Sequence, residues 1–118
     1  MVRGASDRLG ASGALAAAGA VALAALASHV AQGPDQARLQ LAAALAFGHG
    51  VALVALSPGT RGRRVGRAAL WLMLAGMLLF SGSLVGAAFA GTPTTLAPFG
   101  GMAMIGGWVL LAVDRWRG

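Results

Sequence analysis

The sequence predicts an all-α, polytopic membrane protein whose four transmembrane helices form two hairpins. Three observations carry this. Hydrophobic residues make up 58% of the chain and charged ones 10%, against roughly 45–50% and about 25% in soluble domains. The apolar residues lie in four long runs, not in the alternating segments of about ten that a membrane β-barrel needs. Between the second and third runs stands Arg61-Gly62-Arg63-Arg64-Val65-Gly66-Arg67, a guanidinium cluster too costly to place in hydrocarbon, which divides the chain into two halves of similar build. A chain of 118 residues makes one four-helix domain and leaves no room for a separate catalytic module.

The first span is expected at about residues 9–28. A polar lead with Arg3, Asp7 and Arg8 precedes an almost unbroken apolar run from Leu9 to Ala27, which meets the ~20 residues needed to cross about 30 Å of hydrocarbon. Arg3 and Arg8 resemble a signal-peptide n-region, but the run exceeds the roughly 7–15 residues of a signal core, so it reads as a retained helix. Ser28 to Gln36, with His29, Gly33, Pro34 and Asp35, carries turn chemistry.

The second span, about 39–57, follows Arg38, whose stem can lie in the apolar layer while its guanidinium stays among headgroups. Ser57, Pro58 and Gly59 end it, since proline lacks the amide donor a continuing helix needs. The third, about 68–90, runs from Ala68 to Ala90 without a charge, or about 34 Å of helix. Gly91 to Thr95 forms a second uncharged turn with Thr95 as N-cap for the fourth span, about 96–113. Asp114, Arg115, Trp116 and Arg117 follow.

This threading puts Arg3, Arg8, Arg61, Arg63, Arg64, Arg67, Arg115 and Arg117 on one side and leaves Arg38 alone on the other. The excess of basic residues on cytoplasmic segments then predicts a plasma (inner) membrane protein with both termini in the cytoplasm. Trp71 and Trp116 fall at the inner interface, where indoles anchor helices. Trp108 is deeper and is expected between helices.

Helices in lipid associate through close packing and hydrogen bonds, which favours small residues at their contacts. The first span offers Gly13, Ala17 and Gly19, and the second Ala42, Ala46 and Gly50. The third offers Gly82 and Gly86 with Ala75 and Leu79, and the fourth Gly100, Ala103 and Gly107.

Chemistry is sparse. With no cysteine, disulfides, thiolate metal sites and cysteine nucleophiles are ruled out. The net charge of +6 does not point to nucleic acid, because the arginines sit at the ends of apolar runs with no aromatic stacking platform among them. His49 lies roughly 16 Å along the helix from Arg38, near mid-bilayer, where polar groups turn inward by default. It reads either as a neutral imidazole bonded to a backbone carbonyl or to Ser81 or Ser83, or as a proton or polar-ligand site. His29 belongs to another span near the outer end, and no carboxylate or thiol accompanies it, so no metal site is expected. Ser81 and Ser83 lack the base and orienter of a nucleophile, and mid-helix serines tend to bond to carbonyls one turn earlier.

Three stretches together resemble a known family: Ala24 to Ala31 with Ser28 and His29, LLFSGSL from Leu78 to Leu84, and APFGGMAMIGGWVLLA from Ala97 to Ala112. The chain is similar, from about Ser12 to Val113, to the small four-helix membrane proteins of domain-of-unknown-function family 423, which includes transmembrane protein 256. By that likeness His29 matches the family's Ala-His element and His49 the second histidine of its Tyr-His-x-x-His-Ala-Leu stretch, whose Tyr and first His are Leu45 and Ala46 here. The resemblance implies an integral membrane location and no agreed activity.

The expected function is therefore that of a small integral plasma-membrane protein acting by helix packing or partner contact. The alternative is a small transporter or proton-coupled carrier using His49. No enzyme activity, catalytic residue, cofactor or metal is expected. The expected partners are the lipid bilayer and either a second copy or another membrane protein.

Overall fold

The computed structural model describes residues 6–118, so Arg3 lies outside the described part. Its helices are α1 (Arg8–Val30), α2 (Gly33–Leu56), α3 (Arg64–Ala90) and α4 (Ala97–Arg117), with one 3-10 turn, Pro58–Thr60, after α2. Among the described residues there is no strand. All four helices are long and apolar enough to cross a membrane, making this a multi-pass α-helical membrane protein. Their outward surfaces agree: Leu15, Val21, Phe89, Phe99, Met102, Ile105 and Val109 are exposed. So much apolar surface would be an aggregation hazard in water.

α1 packs on α2 and α3 on α4, and the hairpins join through α2 and α3, leaving α1 and α4 as the outer helices. The body measures 46 × 31 × 18 Å. Its core threads the middle of the bundle through Leu53, Leu70, Met73, Met77 and Met104, and a second cluster of Ala42, Leu84 and Ala97 sits apart from it.

Element boundaries depart from expectation where loop and helix-start chemistry coincide. Ser28, His29 and Val30 continue α1, and α2 starts at Gly33 rather than Leu39. Gly33 takes φ +63° to turn the chain, Pro34 occupies the first helical turn, where its missing N–H costs nothing, and Asp35 complements the helix N-terminus. Asp35 pairs with Arg38 at 3.2 Å, one helical turn away. Thr95 does not cap α4, whose N-cap is Leu96 in helical geometry with no side-chain bond. At the end of α3 the left-handed Gly91 stops the helix, its N–H still bonded to the Ala87 carbonyl at 3.2 Å.

Each hairpin closes on a glycine pair. An ideal Cβ at Gly50 would lie 2.6 Å from the Gly13 carbonyl oxygen, and one at Gly100 would lie 2.7 Å from that of Gly76. Backbone therefore meets backbone between α1 and α2 at Gly13 and Gly50, and between α3 and α4 at Gly76 and Gly100 and again where Gly107 stands against the Ala69 carbonyl, which small residues alone allow.

The two hairpins are tied at the same end. Asp7 caps α1 through the Gly10 N–H (2.9 Å) and accepts the Ser57 hydroxyl at 2.5 Å, joining the start of α1 to the end of α2. Arg63 donates from Nε to Asp114 Oδ2 at 3.0 Å and from Nη2 to the Asp114 carbonyl at 2.8 Å, joining the start of α3 to the end of α4. The approach to α1, the arginine connector and the end of α4 thus share one end, and the Gly33 and Pro93 turns lie at the other.

The Ser57 hydroxyl, the Gly10 N–H and the nearby Arg61 and Arg67 hold the Asp7 carboxyl below its ordinary 3.8, against the opposing effect of burial. A depressed carboxylate stabilises the fold fully above its unfolded pKa and loses that contribution as pH falls through the folded one. Thermal unfolding in detergent is therefore expected to separate wild type from Asp7→Asn progressively more weakly below about pH 4. Asparagine is itself a good N-cap, so the variant retains its helix start while losing this part of the pH dependence.

Candidate functional site

Among the described residues, polar side chains from different helices meet deep within the bundle at the seam of α2 and α4, beside α3. His49 projects from α2, half-buried. Its Nδ1 lies 2.9 Å from the Leu45 carbonyl oxygen, an acceptor only, so Nδ1 carries the proton. Nε2 then accepts the indole N–H of Trp108 from α4 at 3.0 Å, and the rings meet edge to face with centroids 5.9 Å apart. Both nitrogens are satisfied by the neutral imidazole, a tautomer assigned from the bonding pattern.

Beside this pair is a lateral cavity of about 270 Å³ lined by Leu45, His49, Phe80, Gly101, Met104, Ile105 and Trp108. Its wall is almost wholly apolar, because the two polar groups that reach it are spent on each other. It can take an apolar chain or ring; it offers no free donor or acceptor.

Of the hydroxyls considered as partners for His49, neither serves. Ser81 is buried and donates across the helix boundary to the Ala42 carbonyl at 3.0 Å, stitching α3 to α2 instead of bonding within its own helix. Ser83 Oγ is buried with no hydrogen-bond partner among the described residues. It borders a cavity of about 510 Å³ with Gly82, Thr92 and Thr95 at the opposite end from the arginines. His29 is exposed in the last turn of α1. Among the described residues no three metal-ligating side chains converge.

The glycines divide by role. Gly100 and Gly107 lie in the α3–α4 contact, Gly107 against Met73 and the Ala69 carbonyl, and Gly86 abuts the Thr92 hydroxyl. Gly82 has nothing within 4 Å of an added Cβ, so within this chain it is no contact residue. The glycine of α3 that meets the α4 backbone is Gly76, one helical face away.

At the tied end stand Arg61, Arg63, Arg64 and Arg67 with Arg115 and Arg117. Arg63 pairs through Nε and Nη2 with Asp114, which is 7% exposed. Arg115 lies over Gly59 of the 3-10 turn. A cleft of about 300 Å³ is lined by Gly62, Arg63, Val65, Asp114, Arg117 and Gly118.

Three of these features escape sequence reasoning: the His49–Trp108 bond, the Gly76 contact and the buried Asp114. A polar group at mid-bilayer requires a partner, and Trp108 carries the remaining deep side-chain donor; that signal was available. Trp108 is nonetheless 43% exposed, at an edge of the seam and not enclosed between helices.

A family model described as a protein of unknown function (DUF423) matches residues 9–107, a segment that contains both glycine pairs and His49 and ends just before Trp108. No curated protein and no solved structure matches the chain.

Proposed function

The chain belongs to the DUF423 family of proteins of unknown function, and from its geometry we propose a non-enzymatic protein of the plasma (inner) membrane that acts by packing against a partner helix. The arginine-rich connector and both termini face the cytoplasm in this reading, supported by the gathering of every described arginine except Arg38 at one end of the bundle.

One observation carries the partner role. α4 turns Phe99, Met102, Ile105, Val109 and Val113 outward, bulky side chains suited to lipid. α1, the other outer helix, exposes Leu15, Val21 and Leu26, but between them it turns outward Ala11, Ala14, Ala18, Ala22 and Ala25, which at 3.6 residues per turn form one narrow stripe opposite its buried Gly13, Ala20 and Ala27. Small residues favour helix contact over lipid contact, so the α1 edge is where a second copy or another membrane protein docks.

The chain has no cysteine, so Ala18→Cys is a unique reporter. In native membranes it is expected to crosslink to itself or to one protein neighbour, and Ala18→Leu with Ala22→Leu to weaken that association. Finding neither self-association nor any neighbour would sink the partner role.

A second reading, a small proton-coupled carrier, is favoured by His49 bordering a laterally open cavity. It asks His49 to give up its bond to Trp108, with no carboxylate in any span to share the proton. Transport activity that persists in His49→Leu would remove this reading.

A further inference from the structure

We propose that the cleft between the arginine connector and the end of α4 binds the headgroup phosphate of an anionic phospholipid. This goes beyond the partner role and does not depend on which side the connector faces.

Depth comes first. α3 is 27 residues long, about 40 Å, and the hydrocarbon core takes up about 30 Å of it. Arg64 and Arg67 in its first turn therefore stand at the level of lipid phosphates. Arg115 and Arg117 in the last turn of α4 stand beside them, because the Arg63–Asp114 pair holds these two helix ends together.

Charge comes second. The acidic side chains described at this end are Asp7 and Asp114, against the basic side chains of Arg8, Arg61, Arg63, Arg64, Arg67, Arg115 and Arg117. Asp114 lines the cleft, but its carboxylate is neutralised by Arg63 and nearly buried. Besides Asp114 the cleft is lined by Gly62, Arg63, Val65, Arg117 and Gly118, so its side-chain donors are Arg117 and the N–H groups of Arg63 not used on Asp114, with Val65 as an apolar wall.

Chemistry comes third. Guanidinium matches phosphate with paired N–H donors, and every basic residue here is arginine. A basic pocket between helix ends at headgroup depth suits a lipid phosphate whose acyl chains run down the apolar flanks of α3 and α4. The cleft, at about 300 Å³, admits one headgroup.

The test uses the full chain in phosphatidylcholine vesicles with spin-labelled phosphatidylglycerol or phosphatidylcholine as probe, reading the motionally restricted fraction of each. Wild type is expected to prefer phosphatidylglycerol. Arg117→Gln should lower that preference about fivefold, the contribution of one guanidinium at an anionic surface. Arg64→Gln, exposed and outside the cleft, should lower it less, and Arg38→Gln at the far end should not change it. No preference in wild type, or equal losses from Arg64→Gln and Arg117→Gln, would overturn the cleft in favour of none or of a diffuse field. Displacement of the probe by millimolar inorganic phosphate would reassign the site to a soluble anion and overturn the lipid assignment.

Discussion

Gly100→Ala is expected to destabilise the bundle strongly although it adds a single methyl group and favours the helix. The new Cβ would stand 2.5 Å from the Phe80 amide nitrogen and 2.7 Å from the Gly76 carbonyl oxygen. Those are main-chain atoms of α3, which no rotamer change can move aside. Overpacking a core costs about 1–3 kcal/mol where neighbouring side chains can give way. Here α3 and α4 must separate along their contact, so the loss should reach about 3 kcal/mol or more. Gly82→Ala supplies the opposite sign. It meets nothing within 4 Å, so it should leave stability unchanged or raise it by up to about 1 kcal/mol through helix propensity. Unfolding of the two variants in detergent, followed by tryptophan fluorescence, separates them. Similar midpoints would mean that α3 and α4 do not meet at Gly76 and Gly100.

Arg63→Leu should have the second large effect. It leaves the Asp114 carboxylate, 7% exposed, charged and without its cation. Removing one partner of a buried ion pair costs about 3–5 kcal/mol, and the lower end applies because Arg63 is itself 33% exposed. Loss of Arg63 also frees the Asp114 carbonyl that its Nη2 holds at 2.8 Å. Asp114→Asn keeps an acceptor for Arg63 and should cost less. The double variant Arg63→Leu/Asp114→Leu should recover much of the loss, since an ion pair replaced by apolar groups is often neutral or stabilising. A double variant as unstable as Arg63→Leu would show that the cost lies in lost packing and not in an unpaired charge.

Both effects arise at positions of different legibility. Gly100 belongs to a small-residue stripe visible in the sequence of α4. Its counterpart Gly76 does not, because Gly82 and Gly86 in α3 form an equally good stripe on another face. A helix in lipid gives no amphipathic signal to choose between them, since lipid and protein interior are alike apolar. Asp114 likewise reads as one of several charges at a helix end. Its burial depends on the antiparallel fit of α3 to α4, which brings Arg63 to it across 51 residues of chain. The start of α2 at Gly33 was hidden for a local reason: Gly, Pro and Asp serve turns and first helical turns equally well.

The sequence by itself determined the class and the four apolar helices long enough to cross, because hydrocarbon excludes charge and unpaired backbone over a fixed thickness, and the length of each uncharged run records that directly. The tertiary structure alone decided which faces meet, that His49 is bonded to Trp108 rather than to a serine, and that α1 and α4 are the outer helices. Those outcomes are set by the distance at which two backbones can approach and by where a donor and an acceptor coincide. Neither quantity is carried by any single segment of the chain.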